Sequence, residues 1–102
     1  MGIRHEILNG PERSTIFTAF EHVYDKDVQV TMRFTAQTPS GRGTVIEVTK
    51  LYGLSYEDGS GHRLNLEGRC TAHDRYHGIK FRMFYDTEEH TGYAMLTRPG
   101  SE

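Results

Sequence analysis

The stretch Val28-Gln29-Val30-Thr31-Met32-Arg33-Phe34-Thr35-Ala36 places apolar residues at even positions and polar residues at odd positions. Successive side chains of a β-strand point to opposite faces, so this alternation predicts a strand with one face buried. Helical periodicity is weak by comparison. The alternation therefore indicates an all-β protein and gives the starting point for locating the other strands.

The same alternation recurs in three further stretches, each with an apolar row that we expect to face the interior. The rows are Leu64, Leu66, Gly68, Cys70 and Ala72; Ile79, Phe81, Met83 and Tyr85; and Ile46, Val48, Tyr52, Leu54 and Tyr56. Lys50 interrupts the last row, which indicates a β-bulge. Less regular patterns predict strands over Thr15–Val23 and Gly92–Thr97 and a short edge strand over residues 3–8. No long stretch combines helical periodicity with caps, and we expect at most one helical turn, within residues 8–16.

Short connections rich in Gly, Asp, Pro and Ser separate these stretches, and such turns join antiparallel neighbours. The chain has 102 residues, which suits one domain. We therefore predict a single small all-β domain over residues 1–97, an antiparallel meander of six or seven strands forming a compact barrel or sandwich. Residues 98–102 are predicted to form a flexible tail.

The hairpin formed by the row that begins at Leu64 and the row that begins at Ile79 can be given a register. With residues 75 and 76 at its tip, Cys70 faces Phe81 on the inside and Arg69 faces Arg82 on the outside. This register keeps apolar and polar faces consistent, and a slip by one residue would exchange them. Two arginines are therefore predicted to lie directly opposite each other on the outer face.

The outer face of this hairpin is the main candidate site. Its members are Arg63, Arg69, Lys80 and Arg82, with Phe84 and Tyr76 as aromatic anchors. Guanidinium and ammonium groups together bind carboxylates or phosphates, so the pattern predicts a surface for an acidic protein partner. The alternative is a solvated sheet face on which Glu67 and Glu47 neutralise the cations.

The leading functional hypothesis is a non-enzymatic binding module that acts through protein–protein interaction. A small regulator or inhibitor, for example of phage or mobile-element origin, belongs to this class. One alternative is a small-molecule-binding β-barrel lined by Tyr52, Tyr56, Tyr85 and Tyr93. Another is a nucleic-acid binder of the OB type, which a net charge of -2 disfavours. Separately, Gly68 is predicted to have a structural role, leaving room for the ring of Tyr52.

Catalytic and metal-binding sets are weaker hypotheses. Ser55, Asp58 and His62 flank one hairpin, and Cys70 with His73 makes a dyad, but neither lies in a nucleophile motif. Cys70, His73 and His77 have ligand spacing, yet Cys70 is predicted to face the core and a fourth ligand is missing. We therefore predict no enzymatic activity, no metal and no cofactor.

The single cysteine excludes an intramolecular disulfide, and no apolar run reaches the length of a membrane span. The N-terminus has no apolar signal region. These features predict a cytoplasmic protein that does not enter a membrane. Unpaired edge strands of an open meander would also favour a homodimer.

Overall fold

The computed structural model describes residues 2–22, 32–56, 59, 61–73 and 76–98. It contains six strands and one helix in this part of the chain. They are β1 (Ile3–Asn9), α1 (Arg13–Glu21), β2 (Met32–Gln37), β3 (Gly43–Tyr56), β4 (Arg63–Ala72), β5 (Tyr76–Asp86) and β6 (Thr91–Thr97). Of the predicted strand over residues 28–36, the part before residue 32 lies outside the described residues.

Each strand pairs antiparallel with the next one along the chain, and β1 closes the sheet by pairing with β6. Ile3 lies opposite Leu96, and Ile7 lies opposite Gly92. The predicted all-β meander is thus confirmed, and it forms a closed barrel. The free sheet edges that favoured a homodimer are not present among the six strands, because closure pairs both sides of each one. Dimerisation itself stays a prediction, as does the flexible tail.

The barrel interior is filled by alternate side chains from every strand, in agreement with the period-two patterns. These buried residues are Ile7, Met32, Phe34, Ala36, Ile46, Val48, Leu51, Leu64, Leu66, Cys70, Ala72, Ile79, Phe81, Met83, Tyr85, Ala94 and Leu96. The ring of Phe34 meets that of Tyr85 edge-on with centroids 5.1 Å apart. Closely packed aromatic and aliphatic side chains therefore hold the barrel together.

The strand predicted over Thr15–Val23 is wrong: residues 13–21 form the helix α1. Ile16 and Ala19 are buried, and Phe17 and Phe20 pack against the same core. Residues three and four apart share one face of a helix, whereas alternation in a strand would divide these four side chains between two faces. The helix contacts β2 and β3 at the barrel end where β1 finishes.

The bulge predicted at Lys50 is confirmed, but its consequence differs from the expectation. The pairing of β3 with β4 shifts between Val48 and Lys50 and again between Leu51 and Gly53. Leu51, not Tyr52, therefore lies opposite Gly68. The glycine makes room for backbone rather than for a ring, because a Cβ there would collide with the carbonyl oxygen of Lys50.

The register predicted for the hairpin of β4 and β5 is wrong by two residues. Cys70 pairs with Ile79 rather than with Phe81, and Arg69 faces Lys80 rather than Arg82. The pairing is shifted between Cys70 and Ala72, next to Gly78, whose φ of 73° is left-handed. A two-residue shift leaves every side chain on its predicted face but changes every cross-strand partner.

The four tyrosines predicted to line an interior pocket do not converge. Tyr52 and Tyr56 are 39% and 51% exposed, and only Tyr85 points into the core. Tyr93 lies on the outer face, where its ring stacks on Phe84. The bulges of β3 turn Tyr52 and Tyr56 outward, and the alternation along β6 turns Tyr93 outward. The four tyrosines therefore form no common lining.

Candidate functional site

Three cationic residues lie side by side on the outside of the barrel. Lys50 on β3 is directly opposite Arg69 on β4, and Arg69 is directly opposite Lys80 on β5. We call Lys50, Arg69 and Lys80 the cationic rung. Strand neighbours are about 4.8 Å apart, so the rung concentrates three positive charges in a narrow band.

The bulge in β3 is what brings Lys50 into this band. In an uninterrupted strand Lys50 would share the inward parity of Ile46 and Val48. The extra residue between Val48 and Lys50 reverses that parity, and Lys50 is exposed. Bulges commonly redirect a side chain in this way.

The cationic rung has no carboxylate within ion-pair distance among the residues that the structure describes. Arg69 is held in place by donating an Nη1 hydrogen bond to the carbonyl oxygen of Gly78, at 2.9 Å. Like charges on opposed strand positions destabilise a sheet by a few tenths of a kcal/mol per pair. An anionic partner would turn this cost into a favourable interaction.

Two other predicted site residues have acidic neighbours within the chain. Arg82 lies opposite Glu67, with Nη2 3.6 Å from Oε1, and Arg63 lies 3.6 Å from Oδ2 of Asp86. Exposed pairs of this kind contribute about 0–1 kcal/mol. Glu67 therefore lies within ion-pair distance of Arg82 but not of the cationic rung.

A groove of about 410 Å³ runs beside the cationic rung. It is lined by Gly2, Glu67, Lys80, Phe81, Arg82, Met95 and Thr97. Met95 therefore supplies apolar surface in the same groove as Lys80, whereas the ring of Phe81 is buried in the core. Such a mixture suits a partner segment that carries both an acidic and an apolar side chain.

A second groove, of about 400 Å³, lies on the other side of Glu67 and Arg82 and is also lined by Asn65 and Phe84. Phe84 stacks on Tyr93 with ring centroids 4.9 Å apart, and the guanidinium of Arg4 lies 4.1 Å from the centre of the Tyr93 ring. Phe84 is half-buried in this stack. The side chain of Tyr76, the other predicted anchor, lies outside the described residues.

The catalytic sets considered from the sequence are not brought together in the described residues. Cys70 is fully buried, and burial raises the pKa of its thiol to about 12, whereas an activated cysteine has a lowered pKa. His62 faces Asp86 and Glu88, with Nδ1 3.2 Å from Oδ1 of Asp86. Ser55 lies exposed on β3, and Asp58 and the side chain of His77 lie outside the described residues.

Asp86 has a structural role at the end of β5. Its Oδ1 accepts hydrogen bonds from the backbone N–H groups of Glu88 and Glu89, at 2.9 and 3.0 Å. Burial acts to raise the pKa of Asp86, but the hydrogen bonds from Glu89 and Glu88 and the neighbouring His62 outweigh it and lower the pKa below its ordinary value. The carboxylate thus stabilises the turn between β5 and β6.

We expect Asp86→Ala to lower the free energy of unfolding by about 1–2 kcal/mol at pH 7, because two backbone donors lose their acceptor. A lowered folded-state pKa means that the carboxylate stabilises the fold above about pH 4 and that this contribution is lost as the pH falls through the folded-state pKa. Denaturant unfolding at pH 7 and at about pH 2.5 measures both effects. The control, Glu89→Gln, keeps the backbone donor and should change the stability by less than about 0.5 kcal/mol. Equal losses for Asp86→Ala at both pH values would contradict the electrostatic part of this account.

Lys50 is the member of the cationic rung that the sequence pattern did not identify as a site residue. Its signal was present, because a lysine at an inward position of a strand is costly to bury and indicates that the strand changes parity there. The sequence pattern indicated the bulge but not the partner that the bulge would give Lys50. That partner depends on the register of β3 and β4.

Comparison of the chain with models of protein families, with curated proteins and with solved structures finds no match. No helix in the described ranges is long and apolar enough to cross a membrane. The function is therefore inferred from the surface of the barrel alone.

Proposed function

We propose that this protein is a non-enzymatic binding module whose outer β3–β4–β5 face docks an acidic segment of a protein partner. The observation that carries the proposal is the cationic rung, three opposed cations without a carboxylate partner in the part of the chain described. Charge complementarity of this kind steers association and selects the partner. A small regulator or inhibitor that occupies an acidic surface acts in this way, and the single thiol favours a cytoplasmic setting.

The groove beside the rung supports a peptide-like ligand rather than an isolated ion. Half-buried Met95 offers apolar surface in the same groove as Lys80, over a volume of about 410 Å³. Buried apolar contacts supply affinity, while charges on the rim mainly supply specificity and association rate. An acidic segment with one or two apolar side chains matches both properties.

The alternatives receive less support from the geometry. A ligand inside the barrel lacks its proposed lining, since Tyr52, Tyr56 and Tyr93 point outward and core side chains fill the interior. A nucleic-acid binder of the OB type would use a five-stranded Greek-key barrel, whereas these six strands are ordered as a simple meander. Phe84, an aromatic residue predicted for the outer face of the β4–β5 hairpin, already stacks on Tyr93.

The test is a pull-down from lysate of the native source, with and without nuclease, using the wild-type protein and the variant Lys50→Glu/Lys80→Glu. We expect a stoichiometric protein partner that survives nuclease and is reduced about tenfold or more in the variant, because two favourable charge contacts become repulsive. Arg69 is left intact because it also bonds Gly78. An acidic peptide with interspersed leucines, titrated by fluorescence anisotropy, gives the same comparison with a defined probe.

The matched control is Arg33→Glu/Arg42→Glu, which changes the net charge by the same amount at exposed positions outside the rung. Because Arg33→Glu also breaks the ion pair with Glu47, thermal unfolding first establishes that the control variant is folded. Its binding should stay within about twofold of wild type at moderate salt. Equal losses in both double variants would indicate a response to net charge alone and would exclude a specific face. Recovery of nucleic acid that disappears with nuclease would favour the OB-type alternative.

A further inference from the structure

Two histidines, neither of them part of the cationic rung, meet at the barrel end opposite α1. His5 lies on β1 and is only 2% exposed, and His73 follows directly after β4. Their Nε2 atoms are 3.0 Å apart, and their ring centroids are 5.1 Å apart. The two rings therefore point their Nε2 atoms toward each other.

The other nitrogen of His5 shows which tautomer its neutral ring adopts. Nδ1 of His5 is 3.2 Å from the carbonyl oxygen of Ile3, and a carbonyl oxygen can only accept. Nδ1 therefore carries the proton and donates the hydrogen bond to Ile3, and Nε2 presents its lone pair to His73. Metal-ligating histidines have this tautomer, in which Nδ1–H is bonded to a carbonyl and the Nε2 lone pair is the ligand.

We propose that His5 and His73 bind one late divalent transition metal ion, of the class of Ni²⁺ and Cu²⁺, through their Nε2 atoms. Two ligand nitrogens at about 2.0–2.1 Å from a metal and at about 90° to each other are about 2.9 Å apart. The observed separation of 3.0 Å is close to this value. On binding, the ion replaces the proton shared by the two nitrogens, and His73 takes the tautomer protonated at Nδ1.

The remaining coordination positions would be taken by water. Within the described ranges no group of three or more His, Cys, Asp and Glu side chains is placed to hold a metal, so His5 and His73 act as a pair. The two histidines line a pocket of about 340 Å³ together with two arginines, Arg42 and Arg98, and with no carboxylate among the lining residues that the structure describes. Two protein ligands and two nearby guanidinium groups predict micromolar rather than nanomolar affinity.

The backbone at His73 provides a clean variant. His73 has a φ of 58°, and the chain has a matching residue in His90, with a φ of 59°. Asparagine tolerates this left-handed conformation better than most residues. His73→Asn thus removes the ligand without forcing a new backbone, and His90→Asn makes the same chemical change at the opposite barrel end, where Nδ1 of His90 lies 3.3 Å from the carbonyl oxygen of Gly10.

The experiment is calorimetric titration of the intact chain with NiCl₂ alone, repeated with CuCl₂. We expect one ion per wild-type chain, binding about tenfold or more weaker in His73→Asn, and binding within about twofold of wild type in His90→Asn. Paramagnetic broadening of backbone NMR signals should centre on residues 3–5 and 73. Absence of one-to-one binding, equal binding by His73→Asn, or broadening centred on His62 and His90 would each overturn the proposal. If His73→Asn fails to fold, His73→Gly, which fits the same φ, replaces it.

Discussion

Gly68→Ala is expected to destabilise the barrel by about 3 kcal/mol or more, a large fraction of the stability of a domain of this size. The added Cβ would collide with the carbonyl oxygen of Lys50, and Cε1 of Phe81 lies only 3.0 Å from the same position. Neither obstacle can move cheaply, because one is backbone inside a bulge and the other is a fully buried ring. Thermal unfolding followed by circular dichroism measures the effect.

Gly43→Ala is the matched control for that substitution. Gly43 also lies in a β-strand, at the start of β3, and a Cβ there meets nothing within 4 Å. The alanine should leave the stability unchanged or raise it by up to about 1 kcal/mol, since it lowers the entropy of the unfolded chain. A Gly68→Ala protein with the melting temperature of the wild type would show that the bulge does not approach β4 as closely as described.

Ile16→Asp is expected to unfold most of the protein at room temperature. Ile16 is completely buried where α1 meets the barrel, and a carboxylate there would have no described partner. Removal of the aliphatic side chain costs about 2–5 kcal/mol, and burial of the polar group adds to it. The free energy of unfolding, extrapolated from urea titration, measures the loss.

Ser14→Asp distinguishes the helix from the strand that the sequence pattern suggested. In a strand, residues 14 and 16 would share one face, and aspartate would be equally harmful at both. In the helix they lie on opposite sides, and Ser14 is exposed in the first turn, where no acidic residue is present. An aspartate at that position should stabilise the helix by about 0.3–1 kcal/mol. Similar losses at the two positions would contradict the helical assignment.

Period-two alternation was sufficient to predict the sheet because it reports which side chains avoid water. It located the interior rows of β4 and β5 correctly and indicated the bulge at Lys50. It failed at α1, because a short apolar run is compatible with both a strand and a helix. There Ile16, Phe17, Ala19 and Phe20 lie on one face of a helix. The helix is held by tertiary contact with the barrel, which no local pattern reveals.

The cationic side chains could be predicted in part, because the same alternation reports which side chains face outward. Parity placed Arg69, Lys80 and Arg82 on the outside, since a two-residue slip does not change the face. Their cross-strand neighbours depend on the register of β4 and β5. With Gly78 in a left-handed conformation and a bulge after Cys70, Arg69 pairs with Lys80 and not with Arg82. Turn geometry of this kind depends on contacts between strands that are distant in sequence.

Closure of the sheet has a consequence for any molecule that meets the cationic rung. A rung follows the circumference of the barrel, so its side chains project from a convex surface and splay apart from their bases to their tips. This divergence separates the charges more than a flat sheet would and lowers their mutual repulsion. A flat partner can reach only one or two of Lys50, Arg69 and Lys80 at once, whereas a concave surface or a flexible chain can wrap around all three.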